Sequence, residues 1–503
     1  MSEALVTERP KLGWPTKALY GLGALGTATR ATLAGMVLFY YNRVPGGPEI
    51  DAQLVGLAIL IALLIDAFWD PIVGQISDQT RTRFGRRHPF IYAAVLPASV
   101  AFALVFMPPL DWSEGGLFLY LLITLVAARL LESLIEIPAA ALLPELSRDY
   151  DERTSLGSWR YVFLAVVGRA AATLLAFNVF LKGTAANHGY GQMNLAGYAP
   201  FAITVAAISV VVTVISALAT QRFVPFMHKP PVERPGFGEM ARGFIAAAGN
   251  RNFLALAMSG FIFGIAVGVT GGLQLYFTTD FWQLGSDALR SLGLWGLPGG
   301  LLGVLVAPFW AKRMGKKLGC LIVFFAAILC TTVPIGLRLI GLMPPNSSPW
   351  VLRILILDSI ATGFLSILGF VIVTAMLADV VEEVQVATGQ RSEGVLFAAD
   401  SLLRKITTSF ASAIPGFLLV FVHYPKHVAA GQVPQAILNH LAVIYLPLVT
   451  VLYLCSTSVL MLYRIDRQQH EDNLAQIARS AELAGEVDPD TNPHLAPDVA
   501  PIG

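Results

Sequence analysis

The sequence predicts an all-α membrane protein whose transmembrane helices form two bundles of six. Of its 503 residues, 55% are hydrophobic and only 13% are charged, too few to cover the surface of a water-soluble protein of this size. Apolar blocks of about 20 residues, each long enough to cross about 30 Å of hydrocarbon as a helix, recur along most of the chain. These blocks are continuously apolar, whereas barrel strands alternate at every second residue, so a membrane barrel is excluded.

Twelve spans are predicted, six on either side of a polar connector. We expect an N-terminal segment at 1–17, a first bundle at 18–221, a Pro-rich basic linker at 222–251, a second bundle at 252–463 and a disordered, hydrophilic tail at 464–503. The spans are predicted at 18–43, 51–76, 89–108, 115–143, 158–182, 198–221, 252–279, 288–311, 318–342, 350–378, 394–423 and 435–463.

Basic residues in the short loops predict the orientation of the chain. They concentrate after the even-numbered spans, so we expect both termini on the cytoplasmic side of the cell (inner) membrane. The polar start of the chain does not have the pattern of a signal peptide. The net charge of +1 gives no indication of nucleic-acid binding. The basic residues after even-numbered spans are Arg81, Arg83, Arg86, Arg87, Arg148, Arg153, Lys229, Arg234, Arg242, Lys312, Arg313, Lys316 and Lys317.

Two internal repeats indicate that the halves are related. A basic loop with a central glycine, residues 83–87, recurs as residues 313–317, about 230 residues later. The segment Leu143-Pro144-Glu145-Leu146 is echoed at nearly the same separation by Leu377-Ala378-Asp379-Val380. Two parallel repeats around a central site are typical of secondary transporters that work by alternating access.

Two carboxylates, Asp66 and Asp70, lie inside the second predicted span. Because they are four residues apart, they share one face of a helix. Each costs about 2.5–3.5 kcal/mol to bury on insertion scales, so they are expected to face a cavity and a partner. The polar loop begins only near Asp78, about 12 Å further along, which makes a position at the headgroups the less favoured alternative. Paired carboxylates suit a sodium ion or a proton shared between like charges.

Further polar groups interrupt the first and fourth spans. Arg30 is the only charge in the interior of the first, where it could contact an anionic group of a solute or pair internally. In the fourth, helical spacing places one polar face at Arg129, Glu132, Ser133 and Glu136.

The eleventh span contains three charges. Asp400 and Arg404 have the spacing of an i, i+4 pair, which is sufficient to explain both. Lys405 points about 100° away from Arg404, and is a candidate counter-ion for the two carboxylates of the second span. Asp358, in the tenth span, is expected to be structural.

The basic loop after the second span has a predicted gating role. A turn at Gly85 would let Arg83, Arg86 and Arg87 pair with carboxylates such as Asp78 and hold one conformation shut. In the alternative interpretation the arginines only set the topology, and the two roles are compatible.

These residues resemble the glycoside–pentoside–hexuronide:cation symporters, the melibiose permease branch of the major facilitator superfamily. The Asp-x-x-x-Asp-Pro element with its Arg-rich loop is the most specific part, and the resemblance covers essentially the whole membrane region. The matching segments are Asp66-Ala67-Phe68-Trp69-Asp70-Pro71, Thr80-Arg81-Thr82-Arg83-Phe84-Gly85, Glu136-Ile137-Pro138, Leu143-Pro144, Tyr20-Gly21-Leu22-Gly23, Trp159-Arg160, Ala378-Asp379, Arg391, Glu393 and Lys405.

The resemblance implies a major facilitator fold and cation-coupled symport of a sugar or glycoside. By residue correspondence it implies a cation site at Asp66, Asp70 and Ser133, and solute contacts at Glu136, Arg160 and Lys405. Where sodium-using members of the family often have asparagine, this chain has Trp69, which offers no oxygen, so a proton is favoured over sodium. Two sugar contacts of the family correspond to Ala28 and Ala140, which leaves a non-sugar solute, such as an amphipathic or lipid-like anion, as an alternative.

Other function classes find little support in the sequence. A channel would need a Gly-rich filter segment, and an ATP-driven pump a Walker motif. Cys320, Cys330 and Cys455 fall inside apolar spans and most histidines in loops or the tail, so neither an enzyme nor a metal site is indicated. The expected partners are a small solute, the coupling H⁺ or Na⁺ and the bilayer, with no other cofactor and no obligate protein partner. A non-transporting sensor of the same fold is a further alternative, which a measurement of solute accumulation would separate.

Overall fold

The computed structural model describes residues 12–147, 149–227, 249–388 and 393–483. Every regular element in these ranges is helical, which confirms the predicted fold class. Within the described ranges, eleven helices are long and apolar enough to cross a membrane. The α-helices are α1 Trp14–Ala34, α2 Val37–Arg43, α3 Ala52–Gln79, α4 His88–Val105, α5 Glu114–Leu146, α6 Tyr150–Tyr161, α7 Gly168–Leu174, α8 Leu195–Gln221, α9 Arg251–Tyr276, α10 Ser286–Met314, α11 Lys316–Leu339, α12 Pro349–Thr388, α13 Glu393–Phe421, α14 Gln435–Leu460 and α15 Arg467–Leu483.

Several predicted spans are composite. The first consists of α1 and α2, which are separated by a turn at Gly35 and Met36. The helix α13 lies at the eleventh predicted span and is not among those eleven helices. Wider helical turns continue α6, α7 and α9, and short 3₁₀ turns lie in the connections. The wider turns are Val162–Val167, Leu175–Phe180 and Phe277–Phe281, and the 3₁₀ turns are Ala185–Asn187, Gly191–Met193 and Val224–Phe226.

Some predicted features lie outside the described residues. These are Arg148, Lys229, Arg234, Arg242 and Arg391, most of the linker at 222–251, the first eleven residues and the tail beyond residue 483.

The prediction of a disordered tail from residue 464 is wrong for its first part, which forms α15. The Asp466 carboxylate accepts a hydrogen bond from the Gln469 amide in the first turn of this helix. His470 Nδ1 lies 2.7 Å from Glu382 Oε2 and 3.3 Å from Asp379 Oδ1, both on α12. A hydrophilic helix that docks through polar contacts has the same composition as a disordered segment, and composition alone could not separate the two.

In each half, the repeated basic loop lies next to the repeated acidic segment. In the first half Glu145 Oε1 lies 2.8 Å from Arg86 Nη2 and 3.0 Å from Arg87 Nε. At the equivalent place in the second half Lys316 Nζ lies 2.5 Å from Asp379 Oδ1. The repeated basic loop and the repeated acidic segment therefore form matching ion pairs on the membrane face where α1 begins and α14 ends, which we call the terminal face.

Three buried apolar clusters show how the halves are joined. One cluster contains residues of both halves, from Leu33 to Val205 and from Ala266 to Tyr453, and lies toward the opposite membrane face, which we call the far face. The other two lie toward the terminal face and each belongs to one half, from Leu12 to Phe223 and from Phe253 to Ile465. The described parts of the halves therefore share a core at the far face and have separate cores at the terminal face.

Close approach of α10 and α12 in the second half depends on glycine. A Cβ atom added at Gly299 would collide with the carbonyl oxygen of Ile360, whereas one added at Gly271 on α9 would meet no atom within 4 Å. We expect Gly299→Ala to force α10 and α12 apart and to destabilise the protein by about 1–3 kcal/mol. Gly271→Ala should be neutral or stabilising by up to about 1 kcal/mol. Thermal unfolding of both purified variants in detergent tests this, and equal melting temperatures would contradict it.

Candidate functional site

The predicted cation-binding residues lie together where α3 crosses α5. Asp66 and Asp70 lie one turn apart on α3, and the Ser133 hydroxyl of α5 is 2.6 Å from Asp66 Oδ1 and 2.7 Å from Asp70 Oδ1. A hydroxyl has one proton, so Ser133 donates to one carboxylate at a time. The arrangement brings five side-chain oxygens to one place inside the membrane.

Lys405 supplies the positive charge that these carboxylates need. Its ammonium group lies 2.8 Å from Asp66 Oδ2 and also contacts Asp70. Asp66 is 8% exposed and Lys405 is 34% exposed, so the pair is partly buried. Since α3 belongs to the first half and α13 to the second, this ion pair joins the two halves. Lys405 is thus a counter-ion of the carboxylate pair, as the sequence suggested.

Trp69, the residue that departs from the family pattern, has a structural contact. Its indole Nε1 donates a hydrogen bond of 3.1 Å to the carbonyl oxygen of Leu130 on α5. Pro71 follows the second carboxylate inside α3, where the missing amide leaves the carbonyl of Ala67 without its usual helical donor. The carboxylates therefore lie in a locally irregular part of α3 that is tied to α5.

Glu136 and Arg160, two of the predicted solute contacts, line one cavity of about 480 Å³, a volume that includes its open mouth. The Tyr20 hydroxyl accepts a hydrogen bond of 3.2 Å from Arg160 Nη1 and donates one of 3.1 Å to the carbonyl oxygen of Ala139. Tyr20 thereby fixes the guanidinium at the cavity wall. The cavity presents a carboxylate and a guanidinium, the two charged groups that commonly hydrogen-bond solute hydroxyls and anions.

Several residues that line the cavity were not predicted from the sequence. On α1 the lining residues Tyr20, Gly23, Ala24 and Thr27 follow helical spacing, a signal that could have identified this face. Thr213 and Ser216 of α8 add two hydroxyls to the lining.

The two alanines at expected sugar-contact positions have different surroundings. Ala28 is buried and packs against the backbone of Gly168, so position 28 faces α7 rather than the cavity. Ala140 is exposed on α5. Any carboxylate at position 28 would need a different packing of α1 against α7.

Arg30 forms an internal ion pair, and its predicted contact with solute stays a prediction. Its Nε lies 2.9 Å from Glu132 Oε1 and its side chain is 3% exposed. Arg129 Nη1 lies 3.6 Å from the other oxygen of Glu132. The Arg30–Glu132 pair connects α1 to α5 inside the first half.

The predicted gating residues pair within the first half. Arg87 contacts Asp78 and donates a hydrogen bond of 2.6 Å to Ser77 Oγ. Gly85 has a φ of +83°, and Thr82 Oγ1 donates a hydrogen bond of 2.7 Å to its carbonyl oxygen, which closes a tight turn. The Arg83 guanidinium lies 4.8 Å from the ring centre of the adjacent Phe84. These contacts tie the loop to its own half, and its gating role stays a prediction.

Asp379, Glu382 and His470 bring three potential metal-ligand atoms within 4.8 Å of one another at the terminal face. Lys316 already neutralises Asp379 there. The contacts described for this group are those of a docked terminal helix.

Known proteins resemble this chain along nearly its whole length. The isoprimeverose transporter of Lactiplantibacillus pentosus is 25% identical over 92% of this chain and 91% of its own length. The glucuronide carrier protein homolog of Escherichia coli (strain K12) is 25% identical over 85% of this chain and 88% of its own length.

Solved structures support the fold. A crystal structure of the nucleoside transporter NupG aligns with a TM-score of 0.58 and 16% identity, covering 88% of this chain and 98% of that chain. At this identity the likeness concerns the fold alone. The family model described as "MFS/sugar transport protein" matches residues 19–467. The chain is therefore a membrane transporter of the MFS/sugar transport protein family, and not an enzyme.

Proposed function

We propose that this protein is a secondary active symporter that couples the movement of one cation to the uptake of a sugar or glycoside. The observation that carries the proposal is the contact of Lys405, from the second half, with Asp66 and Asp70, from the first. A cation that binds the carboxylates competes with Lys405 for them. Cation binding therefore changes the electrostatic link between the halves whose relative motion moves the solute.

The charge of the site supports a stoichiometry of one cation. Asp66 and Asp70 together carry two negative charges, and Lys405 balances one of them. One bound monovalent cation makes the group neutral, which lowers the cost of occluding it away from water. Without the cation the site keeps one uncompensated negative charge, which raises the cost of closing the carrier over bound solute.

A proton is the coupling cation that the chemistry of the site favours. Hard metal cations bind through several oxygen ligands. Here the residue before Asp70 is Trp69, whose indole donates to Leu130 instead of offering an oxygen. Two carboxylates that share one hydroxyl need no further ligand to hold a proton between them.

The arrangement of buried clusters supports a state that opens toward the terminal face. The halves share a core toward the far face and have separate cores toward the terminal face. Combined with the basic loops at the terminal face, this corresponds to an inward-facing carrier in the inner membrane with both termini in the cytoplasm.

A sugar or glycoside is the solute that the cavity favours. Glu136 accepts and Arg160 donates hydrogen bonds, and the hydroxyl-bearing residues Tyr20, Thr27, Thr213 and Ser216 line the same cavity. The printed names of two relatives, an isoprimeverose transporter and a glucuronide carrier homolog, agree with such a solute.

We expect Asp70→Asn to abolish uphill accumulation while solute binding or exchange is partly retained. The substitution leaves Asp66 and Lys405 as a neutral pair, so the site no longer requires a cation. Asp400→Asn is the matched control, because it removes a carboxylate of another span whose partner Arg404 is on the same helix. Uptake of radiolabelled solute against its gradient distinguishes them, and wild-type accumulation by Asp70→Asn would refute the coupling role.

Purified protein in lightly buffered vesicles tests the solute and the cation together. We expect external alkalinisation when glycosides, pentoses or hexuronides are added, independent of sodium, because a proton enters with each solute molecule. A requirement for sodium would contradict the choice of proton. No pH change with any sugar, together with a pH change on adding an amphipathic anion, would favour the alternative solute. Solute binding without net accumulation would favour a sensor.

A further inference from the structure

An ion pair with no exposed surface joins the two halves near the far face. Arg43 ends α2 and Asp280 lies in the wider turn that continues α9, and both side chains are 0% exposed. The pairing is bidentate, with Arg43 Nε 2.8 Å from Asp280 Oδ2 and Nη2 2.6 Å from Oδ1. Planar two-point pairing of this kind defines the relative position of both partners.

Residues in the segment after α13 form further hydrogen bonds with this ion pair. The Tyr424 hydroxyl donates a hydrogen bond of 2.5 Å to Asp280 Oδ2. The Arg43 guanidinium also donates to the carbonyl oxygens of Val428 and Ala429. One residue of the first half is thereby held by two separate segments of the second.

Neighbouring contacts across the same boundary exclude water from the pair. The Tyr276 hydroxyl donates a hydrogen bond of 3.2 Å to Asn42 Oδ1, and its ring packs on Phe39 with centroids 5.2 Å apart. Gln192 donates one of 2.9 Å to the carbonyl oxygen of Leu284 and accepts one of 2.9 Å from Ser286.

We propose that Arg43, Asp280 and Tyr424 form the far-face gate of the carrier, a lock that must open and re-form in every transport cycle. This inference rests on the alternating access of the proposed function. Opening the far face separates α2 from α9 and α13, which divides these residues between two walls of a water-filled entrance.

The physical character of the lock suits reversible opening. An ion pair loses hydration when it is buried and regains it when the entrance fills with water, so the exchange is nearly balanced. The bidentate geometry still allows only one closed arrangement. Another pair across this boundary, Lys426–Asp51, is 42% and 34% exposed, so hydration makes it a weak link.

The test measures access to the closed far face without solute or coupling ion. A reporter cysteine is introduced as Ala413→Cys, where α13 packs against Gly56 of α3, in a background with Cys320→Ala, Cys330→Ala and Cys455→Ala. Its reaction rate with a bulky polar maleimide is measured in nanodiscs. We expect Asp280→Asn to raise the rate at least tenfold and Tyr424→Phe about threefold. Lys426→Gln is the control and should change it less than twofold.

The outcomes are decisive in either direction. An unchanged rate in monodisperse Asp280→Asn protein, or a Lys426→Gln effect as large as that of Asp280→Asn, would overturn the lock. If Asp280→Asn does not fold, Tyr424→Phe decides, since it removes one hydroxyl and leaves the ion pair in place. Because labelling needs no transport, a negative result here leaves the symport proposal intact, and failure of cation-coupled uptake would not alter the labelling rates.

Discussion

The ion pair of Lys405 with Asp66 and Asp70 is the interaction on which the rest of the site depends. Carboxylates inside a membrane require either a counter-charge or a proton. Two described arginines of the first half have other contacts, since Arg30 is paired with Glu132 and Arg160 donates a hydrogen bond to Tyr20. The charge comes from α13 in the second half. The net charge around the carboxylates of the first half therefore depends on the position of the second half.

The sequence was sufficient to predict the helical architecture because lipid imposes a length and a composition on every span. It was also sufficient to find Asp66 and Asp70, since charges in apolar helices are conspicuous and helical spacing shows that they share a face. Spacing placed Ser133 on the polar face of the fourth span, and the family resemblance assigned it to the cation site. The pairing of Lys405 was accessible by elimination, because Asp400 and Arg404 already satisfy each other on α13. These successes depend on short-range spacing or on the high cost of charge in lipid.

Other features of the site depend on how the helices pack against one another, which the spacing of residues along the sequence does not show. Ala28 and Thr27 are adjacent in sequence, yet Thr27 lines the cavity and Ala28 packs on Gly168, so the choice between them required the rotation of α1. Arg43 could be assigned from the sequence only to the end of a span, because its partner Asp280 is 237 residues away in the chain. The helix α15 was missed because its docking contacts are polar.

The different construction of the two membrane faces explains how a cation could control motion. At the terminal face each half has its own core and its own ion pairs, Arg86–Glu145 in one and Lys316–Asp379 in the other, so separation there exposes little new apolar surface. At the far face the halves share a core, and opening it exposes apolar side chains to water at a cost proportional to their area. The conformation that is open at the terminal face is therefore stabilised mainly by the contacts between the halves at the far face. The partly exposed ion pair of Lys405 lies between the two faces, and a cation can reach it through the opening at the terminal face. Release of Lys405 weakens the contact between α3 and α13. This contact extends to the far face, where Gly56 of α3 packs against Ala413 of α13.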